Sequence, residues 1–149
     1  MRVLILGMGN PILSDDGVGL LIAKEVGRRI EGVEVVTTTS VGLNLLDLVV
    51  GYDKIFLIDA LTTGEKIIGE LVKLKGGKTT SHLFSSHGIN FFELLQIGKE
   101  FGYRMPEVGE IYGIEIGGEV SFGEELSLEL REKIPYIIES IVDDITSTF

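Results

Sequence analysis

Apolar positions along this chain change period repeatedly, and the changes mark out alternating strands and helices. Val3–Leu6 is an unbroken apolar run, the pattern of a strand buried on both faces. Val18, Leu21, Ile22, Val26 and Ile30 then recur at helical spacing, with Arg28 and Arg29 near the C-terminal end and Gly32 as a stop. Val33–Thr39 is β-branched and predicts a second strand. Leu43–Val50 predicts a short helix, and Lys54–Ile58 a third strand ending at Asp59. Glu70–Lys75 alternates, as a more exposed edge strand would.

A polar loop over 76–87 leads into a helix that ends near Phe101, where Asn90 and Glu93 have the spacing of a capping pair. Gly109–Ile116 predicts another strand. The last helix carries Leu130, Ile134, Ile137, Ile138, Ile141 and Ile145 on one stripe, and Pro135 is expected to kink it. Strands alternating with helices imply an α/β fold of three layers, α/β/α. Its core is a mostly parallel, twisted sheet of about five strands with helices on both faces.

Composition narrows the function classes. At 149 residues, 44% of them hydrophobic, the chain reads as a single domain over 1–149 with a core large enough to fold alone. No stretch has the length or purity of a membrane span, and the apolar run before Gly7 is too short for a signal-peptide core. The absence of cysteine excludes disulfides, thiolate catalysis and thiolate metal sites. A net charge of −10 argues against nucleic-acid or anionic-membrane partners, which need positive surface. The expectation is an acidic, soluble, cytoplasmic protein.

The loop after the first strand carries the densest chemistry. Gly7-Met8-Gly9-Asn10-Pro11-Ile12 begins like a dinucleotide-binding loop, but Ile12 stands where the third glycine belongs. No lysine lies between Arg2 and Lys24 to complete a P-loop, and no Gly-x-Ser-x-Gly elbow occurs. Asp15 and Asp16 instead occupy the helix N-terminus, where an anion would otherwise bind, and turn the loop toward cations. Gly17 and Gly19 suit close helix–strand packing.

If the first three strands are ordered 2-1-3, the site of an open parallel sheet lies outside the carboxyl ends of strands one and three. The loop carrying Asp15 and Asp16 would then face Asp59 across that crevice, with His87 able to reach it from the polar loop. Such a set suits a divalent metal such as zinc or nickel, or acid–base work. Plainer roles exist for each residue. Asp15 and Asp16 suit helix caps, Asp59 a turn-former, and His82 and His87 solvated loop positions. His87 is preferred over His82 because it immediately precedes the helix, whereas His82 lies mid-loop.

Four motifs, in order, resemble those of the hydrogenase maturation proteases. Gly7-Met8-Gly9-Asn10 with Asp15-Asp16-Gly17-Val18-Gly19 is similar to the family's opening signature, and Phe56-Leu57-Ile58-Asp59-Ala60 to its second acidic motif. Ser85-Ser86-His87, running on to Leu94-Leu95, is similar to its Ser-x-His…Leu-Leu segment. Tyr112-Gly113-Ile114-Glu115 and Leu126-Ser127 resemble its last elements. The chain departs where Asp16 replaces a frequent Glu, where Ile116 replaces Pro, and where Leu61–Glu65 lacks a proline often found there.

The resemblance implies an endopeptidase that removes the C-terminal tail of a NiFe-hydrogenase large-subunit precursor after nickel insertion. Asp16, Asp59 and His87 would be both its catalytic residues and its metal-contacting set. The nickel cofactor would be supplied by the precursor, so that the free enzyme can be empty. Hydrolysis assisted or gated by metal is preferred to an acyl-enzyme route, with Asp15 a candidate base. The alternative is a nickel-checking or metallochaperone module of the same fold that does not cleave.

Overall fold

The computed structural model describes residues 1–39, 44–75, 80, 82–83, 90–118 and 120–149. Its sheet is built around β1 (Val3–Met8), a strand with every residue buried. β1 pairs in parallel with β2 (Val33–Thr38) on one side and β3 (Lys54–Leu61) on the other. β4 (Leu71–Lys73) is a short antiparallel edge, hydrogen-bonded to β5 (Glu107–Glu115), which runs parallel to β3. The strand order is therefore β2-β1-β3-β5-β4. The first three strands thus have the 2-1-3 order on which the crevice depends, and the expected mostly parallel, five-stranded sheet holds.

Side chains alternate across β1 and divide the core in two. Val3 and Ile5 face α1 (Val18–Arg29) and α4 (Leu128–Thr146). Ile22, Val26, Ile137 and Ile141 of those helices are fully buried there. Leu4, Leu6 and Met8 face the opposite layer, where α2 (Asn44–Val49) brings Leu45 and α3 (Phe91–Glu100) brings Leu94. The unbroken apolar run of β1 is thus the signature of a strand covered on both faces. Asn90 caps α3 as its spacing predicted, accepting from the Glu93 N–H at 2.9 Å and donating to the Glu93 carboxylate at 3.0 Å. α4 continues through Pro135 as one unbroken helix.

The crossovers place α1 and α2 on opposite faces of the sheet. The chain thus leaves β1 toward one face and returns to β3 from the other. The carboxyl ends of β1 and β3 consequently flank a crevice between the two crossovers.

Candidate functional site

α1 sits unusually close to the crevice, and glycine is the reason. A Cβ on Gly19 would lie 2.3 Å from the Met8 carbonyl oxygen and 2.7 Å from that of Ile58. A Cβ on Gly7 would lie 2.4 Å from the Ala23 Cβ. Both glycines thus serve the close packing expected of this loop. A 3-10 turn over Ser14–Gly17 precedes α1 and carries Asp15 and Asp16, both buried. Ser14 enters that turn with φ at 47°, in the left-handed region.

The two acidic neighbours have different fates. Asp16 is 5% exposed, and its Oδ2 accepts from the Asn10 N–H at 3.1 Å. Asp59, fully buried at the carboxyl end of β3, accepts from the Ala60 N–H at 2.8 Å and the His82 N–H at 2.6 Å. Between them lies the imidazole of His82. Its Nδ1 is 2.8 Å from Asp59 Oδ1 and its Nε2 is 3.0 Å from Asp16 Oδ2. A doubly protonated ring donates both bonds. The hydrogen bonds to Asp16 and then Asp59 push the His82 pKa up to about 10, against the opposing effect of burial.

Asp16 and Asp59 therefore meet, as the strand order predicted, and a cation holds the space between them. His82 was expected in solvent and is instead mostly buried, its side chain 19% exposed. His87 lies outside the described residues. Because the His82 nitrogens point one at each carboxylate, the three side chains do not converge on a single point. Among the described residues, no group of three or more His, Cys, Asp or Glu is placed to hold a metal ion. The two carboxylates, hard oxygen donors that already enclose a positive group, do suit a divalent cation.

Asp15 turns the other way. Its Oδ1 accepts from the Ser127 N–H at 2.6 Å and its Oδ2 from the Ser127 hydroxyl at 2.7 Å. Ser127 is the N-cap of α4, with its Oγ 3.4 Å from the Leu130 N–H. Asp15 thus does not cap its own helix, since α1 has Gly17 at its N-cap and no side-chain cap bond. Nor is it free to act as a base, because both oxygens are engaged 112 residues away in sequence. It fastens the start of α4 to the site loop. Ser127→Ala should lower stability by about 1–2 kcal/mol, through the lost cap and a stranded Asp15 oxygen. A thermal unfolding midpoint lowered by roughly 3–8 °C would bear this out, and an unchanged one would refute it.

A sequence profile described as hydrogenase maturation protease matches residues 6–147. The hydrogenase 2 maturation protease of Escherichia coli is 25% identical over 120 residues, covering 74% of this chain and 73% of that protein. Protein FrxA of Pyrococcus furiosus is 31% identical over 135 residues, covering 87% of this chain and 95% of its own length. Among solved structures, the hydrogenase maturating endopeptidase HybD of E. coli superposes with a TM-score of 0.76 at 20% identity, over 99% of this chain and 94% of that one. The NiFe-hydrogenase maturation protease HybD of Thermococcus kodakarensis gives 0.63 at 26% identity, over 97% and 99%.

Proposed function

The chain belongs to the hydrogenase maturation protease family, and we propose that this endopeptidase removes the C-terminal tail of a NiFe-hydrogenase large-subunit precursor once nickel has been inserted. The observation that carries this reading is the pair of buried carboxylates, Asp16 from the turn before α1 and Asp59 from the end of β3, that enclose one cation. Before the precursor binds, that cation is the His82 imidazolium. In the encounter with precursor it is the nickel that the precursor itself carries, so the metal belongs to the substrate. His87 supplies the third contact, as the resemblance implies.

Such an ion provides Lewis acidity at the scissile carbonyl or an acidified water. Asp16 and Asp59 orient the incoming precursor and balance the charge of its metal. His82 must yield its place between them. The mostly buried setting strengthens each of these interactions by keeping bulk water out. With no cysteine in the chain, attack by water is favoured over a thiol acyl-enzyme. No helix of the described residues is long and apolar enough to cross a membrane, and the precursor on which the protein acts is a cytoplasmic one.

Incubating the protein with nickel-loaded and nickel-free precursor, and weighing the products by mass spectrometry, tests the reading. Loss of the tail from loaded precursor alone is expected. Equal cleavage of both forms would overturn nickel gating. Binding of loaded precursor with its tail intact would instead identify a non-proteolytic nickel-checking module.

A further inference from the structure

Glu115 is a fully buried carboxylate without a part in the chemistry above. It ends β5, in register with Leu61 at the end of β3. Its Oε1 accepts from the Thr63 hydroxyl. Its Oε2 accepts from the Gly64 N–H at 3.2 Å and the Gly117 N–H at 2.9 Å. Thr63 Oγ1 accepts in turn from the Glu65 N–H at 3.1 Å. Gly64 and Gly117 both take left-handed backbone, with φ of 69° and 84°. A Cβ on Gly64 would lie 3.7 Å from the Gly118 nitrogen, so the loops leaving β3 and β5 abut.

A buried carboxylate without donors is strongly unfavourable, so these three bonds hold one another in place. One side chain thereby staples two loops at the carboxyl edge of the sheet. The stapled loop starts close to the site. Leu61 follows Asp59 by two residues on the same strand face, a distance of about 7 Å. Leu61 and Thr63 also line a cavity of about 500 Å³, together with Lys66 and Lys73.

We propose that Glu115 is a positioning residue for precursor binding: by holding Thr63 and Gly64 it keeps the loop after β3 as a fixed wall beside the Asp16–Asp59 crevice. This assignment rests on the endopeptidase reading. If the staple is loosened, only a fraction of molecules presents the wall correctly, and apparent affinity falls by that fraction. KM should therefore rise while kcat is kept.

Three variants test this: Glu115→Gln, Thr63→Val and Glu115→Ala. A glutamine can turn its oxygen to both glycine amides and donate its NH₂ to Thr63 Oγ1, keeping the staple without the charge. Glu115→Gln should hold KM and kcat within about threefold of wild type. Thr63→Val, which is near-isosteric, should raise KM about tenfold, leave kcat within about threefold, and speed hydrogen exchange at the Gly64 and Glu65 amides. Glu115→Ala, which removes the staple, should raise KM at least as much as Thr63→Val; if Glu115→Gln raises KM equally while Gly64 exchange stays slow, the charge itself acts and the assignment fails. Wild-type KM or unchanged Gly64 exchange in Thr63→Val would also overturn it. Wild-type protein that fails to cleave nickel-loaded precursor would defeat the endopeptidase reading instead, and the exchange measurement would still judge the staple.

Discussion

Asp16→Asn is expected to lower kcat/KM for nickel-loaded precursor by about 100-fold or more, roughly 2.7 kcal/mol of transition-state stabilisation, with a loss of fold stability limited to the weaker pairing with the His82 imidazolium. The separation of the two effects follows from how Asp16 is bonded. A single oxygen, Oδ2, accepts both from the Asn10 N–H and from the His82 ring. An asparagine can set its own oxygen there and keep both contacts. What it loses is the negative charge that balances the cation.

Asp59→Asn should lose activity as severely and should also be less stable, by about 1–3 kcal/mol. Here both oxygens face donors: the Ala60 N–H, the His82 N–H and the His82 ring. An asparagine NH₂ must then oppose one of those donors in a fully buried setting. Steady-state cleavage kinetics beside thermal unfolding of each variant distinguish the two patterns. Full activity in Asp16→Asn would remove its carboxylate from the mechanism.

Local pattern made much of this arrangement legible. The apolar run of β1, the helical stripe of α1 and the β-branched β2 each state their period within a few residues. The 2-1-3 order then brings Asp16 and Asp59 together without any knowledge of side-chain contacts. Strand ends are less legible, because β3 runs on through Asp59 to Leu61 rather than ending at Asp59. That extension continues a parallel ladder with β5, and no local sequence signal reports a ladder partner.

The long-range polar contacts were not legible at all. His82 sits in a Ser- and Thr-rich stretch without periodicity, so nothing nearby fixes which way it faces. Its place is set by two carboxylates from distant elements, one of them 23 residues away. Asp15 appeared equivalent to Asp16 because they are adjacent. They part only because successive residues of a tight turn point in different directions, one toward His82 and one toward the start of α4. Glu115 likewise draws its meaning from Thr63, 52 residues earlier. Polar partners at such separations leave no period to read.

Gly19→Ala should destabilise the fold by about 3 kcal/mol or more, although helix propensity alone argues the reverse. Within a helix alanine is favoured over glycine by up to roughly 1 kcal/mol, and Gly19 is the second residue of α1. The added methyl, however, would meet the carbonyl oxygens of Met8 and Ile58 at 2.3 and 2.7 Å and the Asp59 Cα at 3.1 Å. All three are backbone atoms of paired strands and cannot swing aside. α1 must retreat or the strands must part, and overpacking of this kind typically costs about 1–3 kcal/mol or more. The retreat would also shift Asp59, so cleavage should fall along with stability.

Gly98→Ala is the matched comparison, since Gly98 is likewise inside a helix and its added Cβ is also crowded, 2.6 Å from Met105 Sδ. There the obstacle is the end of a flexible side chain, which can rotate away. Chemical denaturation of both variants should show a large drop in midpoint for Gly19→Ala and a small change of either sign for Gly98→Ala. Equal midpoints for Gly19→Ala and wild type would mean that α1 does not bear on the ends of β1 and β3, and the crevice would lose the contact that sets its depth.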